Sequence, residues 1–197
     1  MPEGTNFQKA GAEVTLVSGP VALTPPERVQ CIKVSTAEQM RDSVISSVQD
    51  VNIFIATAAV ADYRCAETAQ QKIKKHDDTL ALTLVKNPDI LAEVAALPYA
   101  PFTVGFAAET ESLQKHALVK LRTKGLDMIA ANRVGEAQGF EVGENSLEIF
   151  WREGRQSLVL ASKDKIARQL IEIVAKQYHE KTVQRSTFNV KKEKSSK

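Results

Sequence analysis

Short apolar, β-rich runs alternate with amphipathic helical stretches along this chain, and that alternation limits the fold more than any other feature. "AEVTLVSG", "VQCIKVS", "VNIFIATA", "LALTLVKN", "FTVGFAA" and "LDMIAANRV" have strand character, several of them apolar enough for burial on both faces. Between the second and third, "STAEQMRDSVISSVQD" predicts a helix, with Ser35 and Glu38 as a capping box and Met40, Val44, Ile45 and Val48 on one face. "NPDILAEVAAL" predicts another, with Asn87 as N-cap and Pro88 in the first turn. "ESLQKHALVKLRTKG" is a third helix, closed by Gly125. "SLEIFWREGRQSLVLAS" reads as a hairpin turning near Glu153 and Gly154, and "KDKIARQLIEIVAKQY" as a last helix with Ile166, Leu170, Ile173 and Val174 on one side. Such an order predicts an α/β fold: a mostly parallel sheet, helices on both faces, and a late antiparallel hairpin.

The 197 residues suffice for one good core. A net charge of +2 argues against nucleic acid or membrane as the main partner, and no apolar run approaches a membrane span. Much of the positive charge lies in "EKTVQRSTFNVKKEKSSK", so residues 181–197 are expected to form a disordered basic tail after a body spanning 1–180. Cys31 and Cys65 share no motif spacing, which fits a reduced, cytoplasmic protein, and neither has a basic partner that would make it a nucleophile. His76, His116 and His179 are scattered, and no metal site is expected from them.

The chemistry-bearing segments fall at predicted strand ends, where open α/β sheets bind ligands. "ATAAVADY" brings Ala56, Thr57 and Ala58 to that edge, small enough for a planar base to approach the backbone. Asp62 would accept from an amine or a hydroxyl; equally, the alanines serve strand–helix packing and Asp62 caps a helix. "QQKIKKHDDT" carries Lys72, Lys74 and Lys75 on a polar loop, either as solvated charge or as a lid over a polyphosphate. "VKNPDIL" opens a helix whose unpaired N–H groups suit an anion, although Asn-Pro-Asp opens many helices that bind nothing. Phe106 in "VGFAAET" would stack on a flat ring or simply fill the core. Lys120 and Lys124 stand four apart on one helix face, a mild repulsion that an anion or solvent would relieve.

"VTLVSGPVALTPP", "AAVADYR", "KIKK", "VKNPDIL", "VGFAAET" and "LDMIAANRV" together resemble, in order and near spacing, bacterial phosphopantothenate–cysteine ligase, commonly the C-terminal half of a bifunctional coenzyme A biosynthesis flavoprotein. The likeness runs from about Gly11 to about Tyr178. It implies a Rossmann-like fold, a cytoplasmic homodimer and a two-step reaction with CTP, Mg2+, 4′-phosphopantothenate and cysteine. The carboxylate first forms an acyl-cytidylate, releasing pyrophosphate; the cysteine amine then displaces CMP. Carried over position by position, the CTP contacts fall on Ala56, Thr57, Ala58, Asp62, Lys72, Pro88, Asp89, Ile90, Leu91, Phe106, Lys120 and Lys124. Lys72 takes the catalytic role on its loop.

The resemblance also carries a departure. The Gly-Pro-Thr strand and Asn-containing loop of such ligases have no counterpart before Phe7, and "FQKAG" is similar to the end of a first crossover helix. The expectation is therefore a truncated or divergent ligase domain, impaired in completing the reaction, without its own FMN or decarboxylase half. A non-catalytic nucleotide-binding remnant is one rival. An NAD(P)-dependent reductase is the other, but it should show a GxGxxG turn and an acid after the second strand, and neither is visible.

Overall fold

The computed structural model describes residues 11–73, 79–109, 111–133 and 144–195. The motif "FQKAG" and residues 74–78, with Lys74, Lys75 and His76, lie wholly or largely outside them. Among the described residues, nine strands and four helices follow in order: β1 Thr15–Ser18, β2 Gln30–Lys33, α1 Ala37–Ser47, β3 Ile53–Ala56, β4 Tyr63–Cys65, β5 Leu84–Lys86, α2 Ile90–Ala95, β6 Phe102–Glu109, α3 Leu113–Thr123, β7 Met128–Arg133, β8 Glu144–Trp151, β9 Gly154–Ser162 and α4 Lys163–Ser195.

The largest sheet has the order β3-β6-β7-β8-β9. β3, β6 and β7 run parallel, and β8 and β9 are antiparallel additions. β1 and β2 form a separate parallel pair. The Rossmann-like α/β fold expected from the alternation is thus present, with the hairpin where predicted. One strand departs from expectation. "LALTLVKN" contributes only β5, which pairs antiparallel with β4 in a small ribbon of its own. Its leucines explain why: Leu80, Leu82 and Leu84 remain exposed, so this run never enters the buried sheet.

Period-two alternation divides the core. On one face Phe102, Val104, Met128, Ala130, Leu147 and Ile149 pack against Ile166, Leu170, Ile173 and Val174 of α4. Each of these α4 side chains contributes about 1.5–3 kcal/mol by leaving water. On the other face Ala107, Ile129, Ala131 and Phe150 meet Leu113, Ala117 and Leu121 of α3. A third cluster joins Val44 and Val48, in and just after α1, to Ile90 and Val94 of α2, with Val17 and Phe54 packed against it.

Helix ends shift from the sequence reading. α1 is capped by Thr36, whose Oγ1 accepts from the Gln39 N–H, while Gln39 Oε1 accepts from the Thr36 N–H. The box therefore sits one residue beyond Ser35/Glu38, leaving Glu38 to pair with Arg64 of β4. α2 is capped by Asp89 and not by Asn87. Gly125, at φ +66°, follows the C-cap of α3 as predicted. α4 continues through residues 181–195, where a disordered tail was expected. No glycine or proline occurs after Gly154, so nothing local stops the helix once its apolar half is seated.

The lower end of β6, away from the site described next, anchors α4. Asp127 accepts from the Thr103 N–H at 2.9 Å and pairs with Lys181, while Phe102 and Tyr178 meet edge-to-face at 6.3 Å between ring centres.

Candidate functional site

β3 and β6 deliver the first group of candidate residues. Their register sets Ala56 opposite Gly105, so Phe106 lies one step beyond Ala56 on the adjacent strand. Ala56 is half-buried and Thr57 and Ala58 are exposed, leaving open backbone beyond the strand tip. Phe106 packs in part against the α4-side core while remaining incompletely buried.

The segment from Ala61 to Leu91 is drawn onto that edge by hydrogen bonds. The Asn87 N–H donates to the Asp62 carbonyl at 2.8 Å, and the Asn87 side-chain amide donates to the Ala61 carbonyl at 2.8 Å. Arg64 donates to the Lys86 carbonyl at 2.9 Å and to Asn87 Oδ1 at 3.2 Å. Asn87 is thus a tie between the β3 exit and the start of α2, while the Asp62 carboxylate is exposed and caps no helix. Gly105 brings α2 close: a Cβ there would lie 2.7 Å from Leu91 Cδ2. Pro88 is half-buried beside Asn87, and Ile90 is buried with Val44, Val48 and Val94.

Asp89 changes the electrostatics expected of this helix start. Its Oδ1 accepts from the Ala92 N–H at 3.1 Å, and its Oδ2 pairs with Lys124 at 2.8 Å. Partial burial works to raise its pKa, but the Lys124 hydrogen bond, the Ala92 amide and the charges of Lys124 and Lys86 together hold it below the ordinary value. A carboxylate already fills the helix N-terminus, so the anion-attracting groups here are the lysines that surround it.

Glu109, at the end of β6, does the same for the other lysine. Its Oε1 accepts from Lys120 Nζ at 2.7 Å, and its Oε2 lies 2.9 Å from His116 Nδ1. Burial pushes this carboxyl up, yet hydrogen bonds from Lys120 and His116, with their charge, leave it below its usual value. Sequence reasoning missed Glu109, His116 and Arg64. The available signal was helical: His116, Lys120 and Lys124 recur every four residues on one face of α3.

The structure therefore gathers Ala56, Asp89, Leu91, Phe106, Lys120 and Lys124, with Glu109 added. Asp62 joins them through its backbone. Lys72 lies exposed between β4 and β5. Among the described residues, no three His, Cys, Asp or Glu side chains are arranged to hold a metal, and no helix is long and apolar enough to cross a membrane.

Comparison with known proteins agrees with this architecture. Residues 4–178 match the family described as DNA/pantothenate metabolism flavoprotein C-terminal domain. The coenzyme A biosynthesis bifunctional protein CoaBC of Haemophilus influenzae is 47% identical over 173 residues, which are 87% of this chain and 43% of that protein. The chain thus spans less than half the length of such curated relatives. A crystal structure of the C-terminal domain of CoaBC superposes with a TM-score of 0.75 at 31% identity, covering 91% of this chain and 81% of that one. A Cab2 mutant, H337A, in complex with phosphopantothenate-cysteine, shares the fold at a TM-score of 0.62 and 18% identity over 81% of this chain and 56% of its own. With its match spanning nearly all of the body, the chain belongs to the DNA/pantothenate metabolism flavoprotein C-terminal domain family.

Proposed function

We propose that this chain is a ligase domain of coenzyme A biosynthesis, joining 4′-phosphopantothenate to cysteine at the expense of CTP. The observation that carries the reading is the gathering, on one sheet edge, of small residues after β3, the ring of Phe106, and two lysines held by carboxylates. A base and a polyphosphate need those two kinds of surface side by side. Membership of a family whose relatives include coenzyme A biosynthesis proteins supports the choice of substrate.

The cytosine ring lies across Ala56, Thr57 and Ala58 against Phe106, with Asp62 accepting from its exocyclic amine or from the ribose. Lys120 and Lys124 meet the phosphates, and the turn from Pro88 to Leu91 borders them. A phosphopantothenate carboxylate oxygen bonds to the α-phosphorus as pyrophosphate leaves. The cysteine amine then attacks the acyl carbon, loses a proton, and CMP departs. Lys72 acts in the first step, stabilising charge as it builds on the leaving pyrophosphate. Magnesium enters with the triphosphate, bound mainly through its phosphate oxygens. The active form is a cytoplasmic homodimer.

The test is pyrophosphate release with phosphopantothenate, magnesium and each nucleoside triphosphate in turn. Release should be fastest with CTP, and phosphopantothenoylcysteine should form when cysteine is added. CTP-dependent thermal stabilisation without pyrophosphate would instead identify a non-catalytic nucleotide-binding module. Saturable NADPH binding with no response to CTP would identify a reductase.

A further inference from the structure

We propose that Glu109 is a positioning residue for phosphate recognition, fastening Lys120 and His116 to a single carboxylate at the end of β6 so that α3 presents an ordered cationic face. This rests on the nucleotide reading of the site given above.

His116, Lys120 and Lys124 follow one another at four-residue intervals, a spacing of about 6 Å along the helix axis. Lys120 and Lys124 repel one another at this spacing, and their long side chains would otherwise sample many rotamers. Two acids from other elements hold them. Asp89, at the start of α2, takes Lys124; Glu109, at the end of β6, takes Lys120 and His116. The exposures show which member is the anchor. The Glu109 side chain is 12% exposed, against 44% for Lys120 and 49% for His116. A covered carboxylate at a strand end is fixed by the sheet, whereas the cations reach it from the solvent side.

The chemistry of the ammonium makes this a support and not a blockade. Lys120 Nζ has three donors. One is directed at Glu109, which leaves two for phosphate oxygens without breaking the pair. His116 meets the second oxygen of Glu109, so each carboxylate oxygen has a partner on α3. Glu109 also sits on β6 three residues beyond Phe106, so the two side chains leave opposite faces of the strand.

The experiment is a double-mutant cycle read by titration calorimetry with CTP and, separately, with inorganic pyrophosphate, which has the phosphates and no base. Glu109→Gln should weaken both ligands by about three- to tenfold, the range for one charge-assisted contact that orients a partner. In a Lys120→Ala background the same substitution should cost nothing further. Unchanged or tighter CTP binding by Glu109→Gln would overturn the proposal, marking Glu109 as a competitor for the lysine. An equal loss in both backgrounds would also overturn it, marking a purely structural role, as would a loss confined to CTP. If Lys120→Ala itself leaves CTP and pyrophosphate affinity unaltered, the nucleotide reading fails and the positioning claim falls with it.

Discussion

At the scale of single residues, the site is organised by acids that the chain uses to manage its own cations. The sequence pointed to Asp89, Lys120 and Lys124, but not to Glu109, because its partners lie seven and eleven residues away, across a strand-to-helix turn. Local patterns cannot register such a contact. Lys72 is legible as a lysine on a polar loop and no more. Lys72→Ala should lower kcat for acyl-cytidylate formation by about tenfold or more while changing CTP affinity little, since its contact develops in the transition state. Single-turnover kinetics beside calorimetry separate the two quantities, and matched losses would reduce Lys72 to a tether. The two acids also make a pH prediction. Both have pKa values lowered on folding, so their stabilisation is complete above the ordinary values of 3.8 for Asp and 4.5 for Glu, and is lost as pH falls through the lowered ones. Glu109→Gln should accordingly flatten the loss of stability between about pH 5 and pH 2. Urea unfolding across that range is the measurement.

Among the elements, strands and helices with a strong period were readable and their ends were not. Ser35 and Thr36 both satisfy the capping-box spelling, with Glu38 and Gln39 three residues on. The choice fell to Thr36 because Glu38 is engaged by Arg64, a contact made across the fold. Asn87 and Asp89 present the same ambiguity, resolved when Asn87 is spent on Ala61 and Asp62. β5 was misplaced because alternating leucines describe a half-exposed ribbon as well as an edge of the main sheet. Gly105 gives the clearest test of how elements meet. Ala at this position would force its Cβ against Leu91 and Leu126, at 2.7 Å and 3.0 Å. Gly105→Ala should destabilise the fold by about 1–3 kcal/mol. It should also weaken CTP binding, because Leu91 carries the helix start that holds Asp89. Chemical denaturation and nucleotide titration of the same variant check both; wild-type values in each would mean that α2 is free to shift away.

For the whole molecule, the α/β class followed from alternation alone, whereas the partition into three sheets did not. β1 and β2 are apolar enough to have joined the large sheet, and nothing in their residues announces a separate pair. The final helix divides in the opposite way: its first half is fixed by the core, and its second half follows from the absence of a stop. Deleting residues 185–197 should therefore reduce helical circular dichroism but shift unfolding free energy by less than about 1 kcal/mol, since the apolar period ends near Tyr178. A larger shift would mean that this half packs on the body.

The β4–β5 ribbon has a consequence for how the protein can change. Tyr63 lies opposite Lys86, Cys65 lies opposite Leu84, and the Ala66 N–H donates to the Thr83 carbonyl at 2.9 Å. The chain leaves and re-enters the body at one buckle, with Lys72 on the strap between. Doubling the length of such a strap costs only about 0.6 kcal/mol in closure entropy. The stretch between the two strands can therefore be lengthened, shortened or exchanged while the buckle and everything beneath it stay as they are.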